Sequence, residues 1–302
     1  LTVFTVELPK GKSHFDETCT FAPSVTELSS GVANLDTKEM EEIVKRTYDY
    51  TILIAEDDPD IGAYLQKELK QNFRILLAEN GIKAWEILQR EDVSMVMSDI
   101  MMPEMNGYEL CKKIKSDIAF SHIPVILLTA LSDDKQRMYG IASGADEYIQ
   151  KPFNMEEVKL RIVKRLEERA RLRDTLAQEF QSSGSSDMKF GKVESMDELF
   201  MSKFMKLIEE SYADSDFSIE KASEMIGLSR VHLYRKVKEL AGITPTDFLR
   251  NYRLKRAAAM LQQKAYNVNE VAYATGFASP AYFSKCFKAL YNITPTEYLG
   301  KE

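Results

Sequence analysis

Between Thr51 and about Leu172, five apolar runs of strand length alternate with five amphipathic stretches of helix length, and this alternation leaves few folds open. The runs are Thr51–Ala55, Ile75–Ala78, Met95–Ser98, Val125–Leu128 and Glu147–Ile149. Between and after them lie Ile61–Lys70, Ile82–Arg90, Gly107–Lys115, Lys135–Ala142 and Met155 to about Leu172. Near-continuous apolar strands are buried on both faces, and strands separated by helices pair in parallel. The expected fold here is α/β, a doubly wound five-stranded parallel sheet.

At about 100–200 residues per domain, a chain of 302 residues has room for two or three domains. Gln181-Ser-Ser-Gly-Ser-Ser186 reads as a flexible linker. Beyond it no convincing strand occurs, and residues 197–302 read as helices throughout. They contain an internal repeat: Ile243-Thr-Pro-Thr-Asp-Phe-Leu249 matches Ile293-Thr-Pro-Thr-Glu-Tyr-Leu299 at an offset of 50. A long helix from about Thr246 to Gln263 should join the two copies.

Charge is distributed unevenly. The whole chain has a net charge of −7, yet residues 217–302 hold 13 Lys and Arg against 7 Asp and Glu. A basic module on an acidic chain points to a nucleic-acid partner for that module alone. No apolar run approaches the ~18 residues of a membrane helix, and no signal-peptide pattern is present. Cys19, Cys111 and Cys286 lie far apart without a CxxC spacing and read as ordinary thiols in a reducing compartment. These features argue against a disulfide scaffold, a secreted enzyme and a structural zinc protein. The expected location is cytoplasmic, with no membrane contact by these residues. Leu1 enters mid-pattern, so the sequence reads as a piece of a longer protein, whose upstream part could be anchored in the inner membrane.

Polar residues follow the predicted strands in a telling way. Glu56-Asp57-Asp58 follows the first strand, Asp99 the third, Thr129 ends the fourth, and Lys151-Pro152 follows the fifth. In an open parallel sheet the ligand site lies beyond the carboxyl ends of the strands. Clustered carboxylates repel unless a cation compensates, and a few carboxylate oxygens without a dedicated cage suit Mg²⁺. A carboxylate nucleophile, a metal and the Lys151 ammonium together fit phosphoryl transfer onto Asp99. The bland alternative is a set of unrelated surface carboxylates, which is hard to reconcile with five residues each at the end of the correct strand.

Residues 51–172 resemble a response-regulator receiver domain of flavodoxin-like fold. The resemblance rests on Ile52-Leu-Ile-Ala-Glu-Asp-Asp-Pro-Asp60, on Asp99-Ile-Met-Met-Pro-Glu-Met-Asn-Gly107 and on Lys151-Pro-Phe153. It implies that Asp99 is the phosphoacceptor, with Lys151 and Thr129 contacting the phosphoryl group. It further implies a Mg²⁺ site of Asp57, Asp99, the backbone carbonyl of Met101, and Glu56 acting through water. Tyr148 would be the aromatic switch residue beside Thr129, and a cis bond is expected at Lys151–Pro152. Asp58 falls one place beyond the acidic pair. Met101 and Leu131, two residues after Asp99 and Thr129, should exclude an attacking water and give a slowly hydrolysing phosphoprotein.

Asp216–Gly242 reads as helix, turn, helix. Glu220–Ile226 is the first helix, and Ser229 caps a second that runs to about Leu240 and carries Arg230, Arg235, Lys236 and Lys238. Leu233, Val237 and Leu240 keep core spacing. The second copy repeats this with Glu270–Thr275, the cap Ser279, Pro280 at the first helical position, and Phe283 and Phe287 facing the core. Residues 197–302 resemble an AraC-type DNA-binding domain, most closely in Gly276-Phe-Ala-Ser-Pro-Ala-Tyr-Phe-Ser-Lys-Cys-Phe-Lys288 followed by Ile293-Thr-Pro-Thr-Glu-Tyr298. The resemblance implies base-facing positions at Val231, Tyr234 and Arg235 in the first unit, and at Pro280, Ala281 and Lys285 in the second. The second set is poor in hydrogen-bonding groups, so backbone contact is expected there.

Thr2-Val-Phe-Thr-Val-Glu-Leu-Pro9 resembles the last strand of a histidine-kinase ATP-binding domain. The expected division is therefore a kinase remnant over 1–15, a linker with a short helix (Thr37–Thr47) over 16–50, a receiver over 51–172, a linker over 173–196 and a DNA-binding domain over 197–302. This order resembles the C-terminal part of the hybrid two-component regulators of Bacteroidetes. The expected function is a phosphorylation-controlled transcription regulator that binds double-stranded promoter DNA, active as a homodimer, with a histidine-kinase phosphodonor in the same parent chain. The alternative is the phosphoryl-transfer segment of a hybrid sensor kinase with DNA binding secondary. None of His14, His122 and His232 sits in a kinase phosphoacceptor context, so the chain itself is not expected to be an enzyme.

Overall fold

The structure is a computed structural model that describes residues 46–129, 144–182 and 195–300. The expected strand at 2–8, the 135–142 helix, Leu131 and most of the 37–47 helix lie outside these residues. Five strands, β1 (Thr51–Ala55), β2 (Arg74–Ala78), β3 (Met95–Asp99), β4 (Val125–Thr129) and β5 (Glu147–Gln150), form one sheet in the order β2-β1-β3-β4-β5. Every pairing is parallel. The doubly wound five-stranded expectation is met, with strand ends moved by one residue at most.

Among the described residues, four helices cover the sheet: α1 (Pro59–Leu69), α2 (Gly81–Arg90), α3 (Gly107–Ser116) and α4 (Met155–Ser182). Alternation along each strand sends side chains to opposite faces. Leu53, Val96 and Leu127 pack under α2 and α3, while Ile52, Ile54, Met97 and Ile126 pack under α1 and α4. Helix starts are fixed by capping groups. Asp58 accepts from the amides of Asp60 and Ile61, Asn80 from that of Lys83, and Asn106 forms a capping box with Glu109.

Two expected linkers are structured at their edges. Helix α4 continues to Ser182, ten residues past the expected Leu172. No Gly or Pro interrupts Arg173–Ser182, and residues of good helix propensity continue the run. Upstream, Tyr48 stacks on Phe73 with ring centroids 5.6 Å apart, and its amide donates to the Asn72 carbonyl, so residues 46–50 belong to the sheet domain's packing.

The helical part contains α5 (Met196–Ser211), α6 (Ile219–Ile226), α7 (Arg230–Ala241), α8 (Pro245–Gln262), α9 (Val268–Ala274), α10 (Pro280–Tyr291) and α11 (Pro295–Leu299). It has two cores threaded by one helix. Phe248, Leu249 and Tyr252 of α8 pack with α5, α6 and α7, whereas Leu254, Ala257, Ala258 and Leu261 pack with α9, α10 and α11. Burying each Phe in these cores contributes about 1.5–3 kcal/mol. None of the described helices is long and apolar enough to cross a membrane.

Candidate functional site

At the carboxyl end of the sheet, β1 delivers Glu56 and Asp57, and β3 ends on Asp99. Carboxylate oxygens of the three lie within 4.8 Å of one another. Glu56 and Asp99 are buried and Asp57 is exposed. Asp58, by contrast, caps α1, which explains why it stands outside the cluster. The loop after β3 folds back tightly: the Gly107 amide donates to the Ile100 carbonyl at 3.0 Å. A Cβ at Gly107 would collide with the Asp99 carbonyl oxygen, so no larger residue fits this return.

Lys151 reaches the cluster from the other side. Its Nζ lies 2.9 Å from Glu56 Oε2 and 3.0 Å from Asp99 Oδ1. The Lys151 amide donates to the Thr129 carbonyl at 2.6 Å, bringing the ends of β4 and β5 together, and the Lys151–Pro152 bond is cis as expected. Burial raises the Glu56 pKa and outweighs the pull of Lys151, with the Asp99 charge adding to the rise. Burial opposes the Lys151 charge, but hydrogen bonds to Glu56 and Asp99 and their charges prevail and raise its pKa. Three carboxylates against one ammonium leave an excess of negative charge that a cation would balance. Thr129 is half-buried at the end of β4. Tyr148 is half-buried against the core beneath α2 and α3, and the Met101 side chain is exposed.

The helical part carries two helix-turn-helix units, α6–α7 and α9–α10. Ser229 and Ser279 cap α7 and α10, and Pro280 opens α10. Gly276, at φ +81°, lies in the turn of the second unit, where a Cβ would strike the Tyr212 carbonyl. Arg253 donates to the carbonyls of Tyr212 and Asp214 and pins the same corner, a tie that sequence reading missed. Of the sequence-predicted contact residues, Arg230, Val231, Tyr234, Ala281 and Lys285 are exposed, and Pro280 is half-buried. Arg230 pairs with Glu220 at 3.0 Å.

Arg235 faces the sheet domain, donating to the Glu91 carbonyl at 3.0 Å, with Asp92 at 3.5 Å. Lys236, grouped by sequence with the helix's basic residues, is wholly buried. Its Nζ lies 2.5 Å from Asp197 Oδ1 and 2.6 Å from Ser121 Oγ. Lys236 sits three residues after Leu233 and four before Leu240, a core phase that could have signalled its burial.

Residues 52–163 match the response regulator receiver domain family, and residues 222–301 match a helix-turn-helix domain family. The chain joins a receiver domain to an AraC-type helix-turn-helix domain. It is 38% identical over 310 residues to Histidine kinase P4 of Formosa agariphila, covering 99% of this chain. The chain spans only 22% of that protein's length. Among solved structures it resembles the signal receiver domain of a signal transduction histidine kinase from Syntrophus aciditrophicus, at 37% identity and TM-score 0.37, covering 39% of this chain and 89% of that one. It also resembles the C-terminal domain of the two-component response regulator yesN from Fusobacterium nucleatum, at 34% identity and TM-score 0.32, covering 33% and 96%. A receiver followed by an AraC-type domain is the pairing of a two-component response regulator and transcription factor.

Proposed function

We propose that the chain accepts a phosphoryl group on Asp99 from a histidine kinase and that this modification governs its binding, as a homodimer, to double-stranded promoter DNA. The carrying observation is the cluster of Glu56, Asp57 and Asp99 with Lys151 Nζ 3.0 Å from the Asp99 oxygen. Asp57, Asp99 and the Met101 carbonyl would hold Mg²⁺, with Glu56 acting through water. The ion, when bound, would neutralise charge on the transferring phosphoryl group.

An Asp99 carboxylate oxygen forms the new O–P bond as the N–P bond to the donor imidazole breaks, and the imidazole nitrogen keeps the electron pair. Lys151 exchanges its Asp99 contact for a phosphoryl oxygen, and the Thr129 hydroxyl donates to another, with Tyr148 adjusting beside it. Similarity to a much longer histidine kinase supports a phosphodonor in the same parent chain. On this reading the chain is a regulator that promotes its own phosphorylation, in the compartment that holds the DNA.

Incubation with acetyl phosphate and Mg²⁺, followed by intact-mass measurement, tests this. The native chain should gain one phosphoryl group. Asp99→Asn should gain none for want of the nucleophile, and Asp57→Asn should lose the Mg²⁺-dependent reaction. Full phosphorylation of Asp99→Asn would sink the assignment.

A further inference from the structure

We infer that Arg253 is a positioning residue for DNA reading: it fixes the separation of the two recognition helices, α7 and α10, and thereby the spacing of the two half-sites that the chain accepts. This rests on the DNA-binding reading of both helices. The two helix-turn-helix units have separate apolar cores, and among the described residues helix α8 alone contributes to both. A lone helix resists stretching but bends, so it fixes length better than angle. A second tie is needed to hold the angle, and Arg253 supplies it. It lies between Tyr252, the last α8 residue in the first core, and Leu254, the first in the second.

Helix α5 of the first unit is capped at Tyr212, where backbone carbonyls run out of partners within the helix. The Arg253 guanidinium takes two carbonyls at this end, Tyr212 at 2.8 Å from Nε and Asp214 at 2.7 Å from Nη2. Three residues on, Arg256 lies over the Tyr212 ring and donates to Glu209 of α5 at 3.0 Å. The second unit closes on the same point. A Cβ at Gly276 would strike the Tyr212 carbonyl and crowd Arg253 Nε at 2.9 Å. Gly227, at the equivalent turn of the first unit, has nearly the same φ, +80° against +81°, yet a Cβ there would meet open space. The turn alone therefore accounts for Gly227, whereas Gly276 also answers to a contact between units. Beside this contact a cleft of about 440 Å³ separates the units, walled by Phe217, Leu249, Arg250, Phe277 and Tyr282. The cleft gives the units room to close or part once the tie is gone. A bend of about 15° over the ~14 Å of half of α8 shifts one unit by about 3.5 Å, the rise of one base pair.

The test uses the full chain treated with acetyl phosphate and Mg²⁺, on the duplex that the native chain so treated selects from a random pool. One base pair is inserted or removed between the two protected half-sites. Rigidly linked helices gain from their linkage only when both reach their grooves together, so the native chain should lose about tenfold or more in affinity on either change. Arg253→Met keeps a long stem and removes the donors. It should bind the selected duplex about three- to tenfold more weakly, yet lose less than about threefold further on either change. Arg253→Lys, a point donor in place of a fork, should fall between. A residue needed only for folding would weaken all three duplexes by one factor, so the ratio between duplexes is the readout. Thermal unfolding reports that each variant folds, and Arg253→Lys decides if Arg253→Met does not. A folded Arg253→Met chain with the native spacing penalty overturns the inference and leaves DNA binding intact, as does a native chain that tolerates both changes. If the native chain selects no duplex, the DNA-binding reading falls and this inference with it.

Discussion

Helices α7 and α10 begin on equivalent serines, are twelve residues each, and bury equivalent apolar pairs, Leu233 with Val237 and Phe283 with Phe287. Their surroundings differ. Among the described residues α7 packs against the receiver through His232, Arg235 and Lys236, whereas α10 leaves Tyr282 53% exposed and Lys285 in solvent. At the repeat offset of 50, Lys236 corresponds to Cys286 and Arg235 to Lys285. A repeated scaffold has thus been given one unit that the receiver can hold and one that it leaves open.

The largest expected effect comes from the buried pair. Lys236→Ala strands Asp197 and Ser121 in a desolvated junction and should lower unfolding stability by about 3–5 kcal/mol. Cys286→Ala, at the equivalent place in α10, should cost about 1 kcal/mol. Denaturant midpoints of the two variants check this, and equal losses would erase the asymmetry. Next is Arg235. Once α7 is released, its guanidinium is the group best suited to a bidentate guanine contact, so Arg235→Ala should relax preference at one base pair by ~1–3 kcal/mol. Lys288→Ala in α10 should instead weaken all sequences together and lower the salt slope by about one. A base-substitution scan separates the two, and uniform weakening by Arg235→Ala would rule out direct readout.

A smaller effect should appear with pH. His122 is buried at the junction, and its Nδ1 has no hydrogen-bond partner among the described residues. Burial holds its pKa well below 6.5, helped by the charges of Lys236 on α7, Arg169 on α4 and Lys115 on α3, against Asp197 on α5. The folded, docked state therefore keeps His122 neutral while the opened state takes up a proton. The contribution of neutral His122 to the junction should be fully present above pH 6.5 and fade progressively below it. Hydrogen exchange in α7, followed from pH 7.5 to about 5.5, reads this directly. His122→Gln should flatten the dependence, and an unchanged slope in that variant would remove His122 from the contact.

Much of this was legible in the sequence for physical reasons. Fully buried parallel strands read as apolar runs, and the polar residues Glu56, Asp57, Asp99, Thr129 and Lys151 stand where those runs stop. Ser229, Ser279 and Pro280 announce helix starts through capping chemistry. What was not legible depends on contacts between segments far apart in the chain. Lys236 finds Ser121 across 115 residues, and Arg235 finds the Glu91 carbonyl across 144, neither of which leaves a local pattern. Helix α4 runs past its expected end because its last turns are polar and share the composition of a linker, although nothing before Gly184 breaks a helix.

The measurement that bears most directly on phosphorylation-controlled DNA reading is a hydroxyl-radical footprint of the full chain on its selected duplex, before and after acetyl phosphate and Mg²⁺. Helix α8, at 18 residues about 27 Å long, can set the two recognition helices in successive major grooves about 34 Å apart. The unphosphorylated chain should protect weakly and at one groove. The phosphorylated chain should protect two successive grooves per chain at lower concentration, and Asp99→Asn should stay in the first pattern. An Asp99-phosphorylated chain with unchanged footprint and affinity would contradict control of DNA binding through this site.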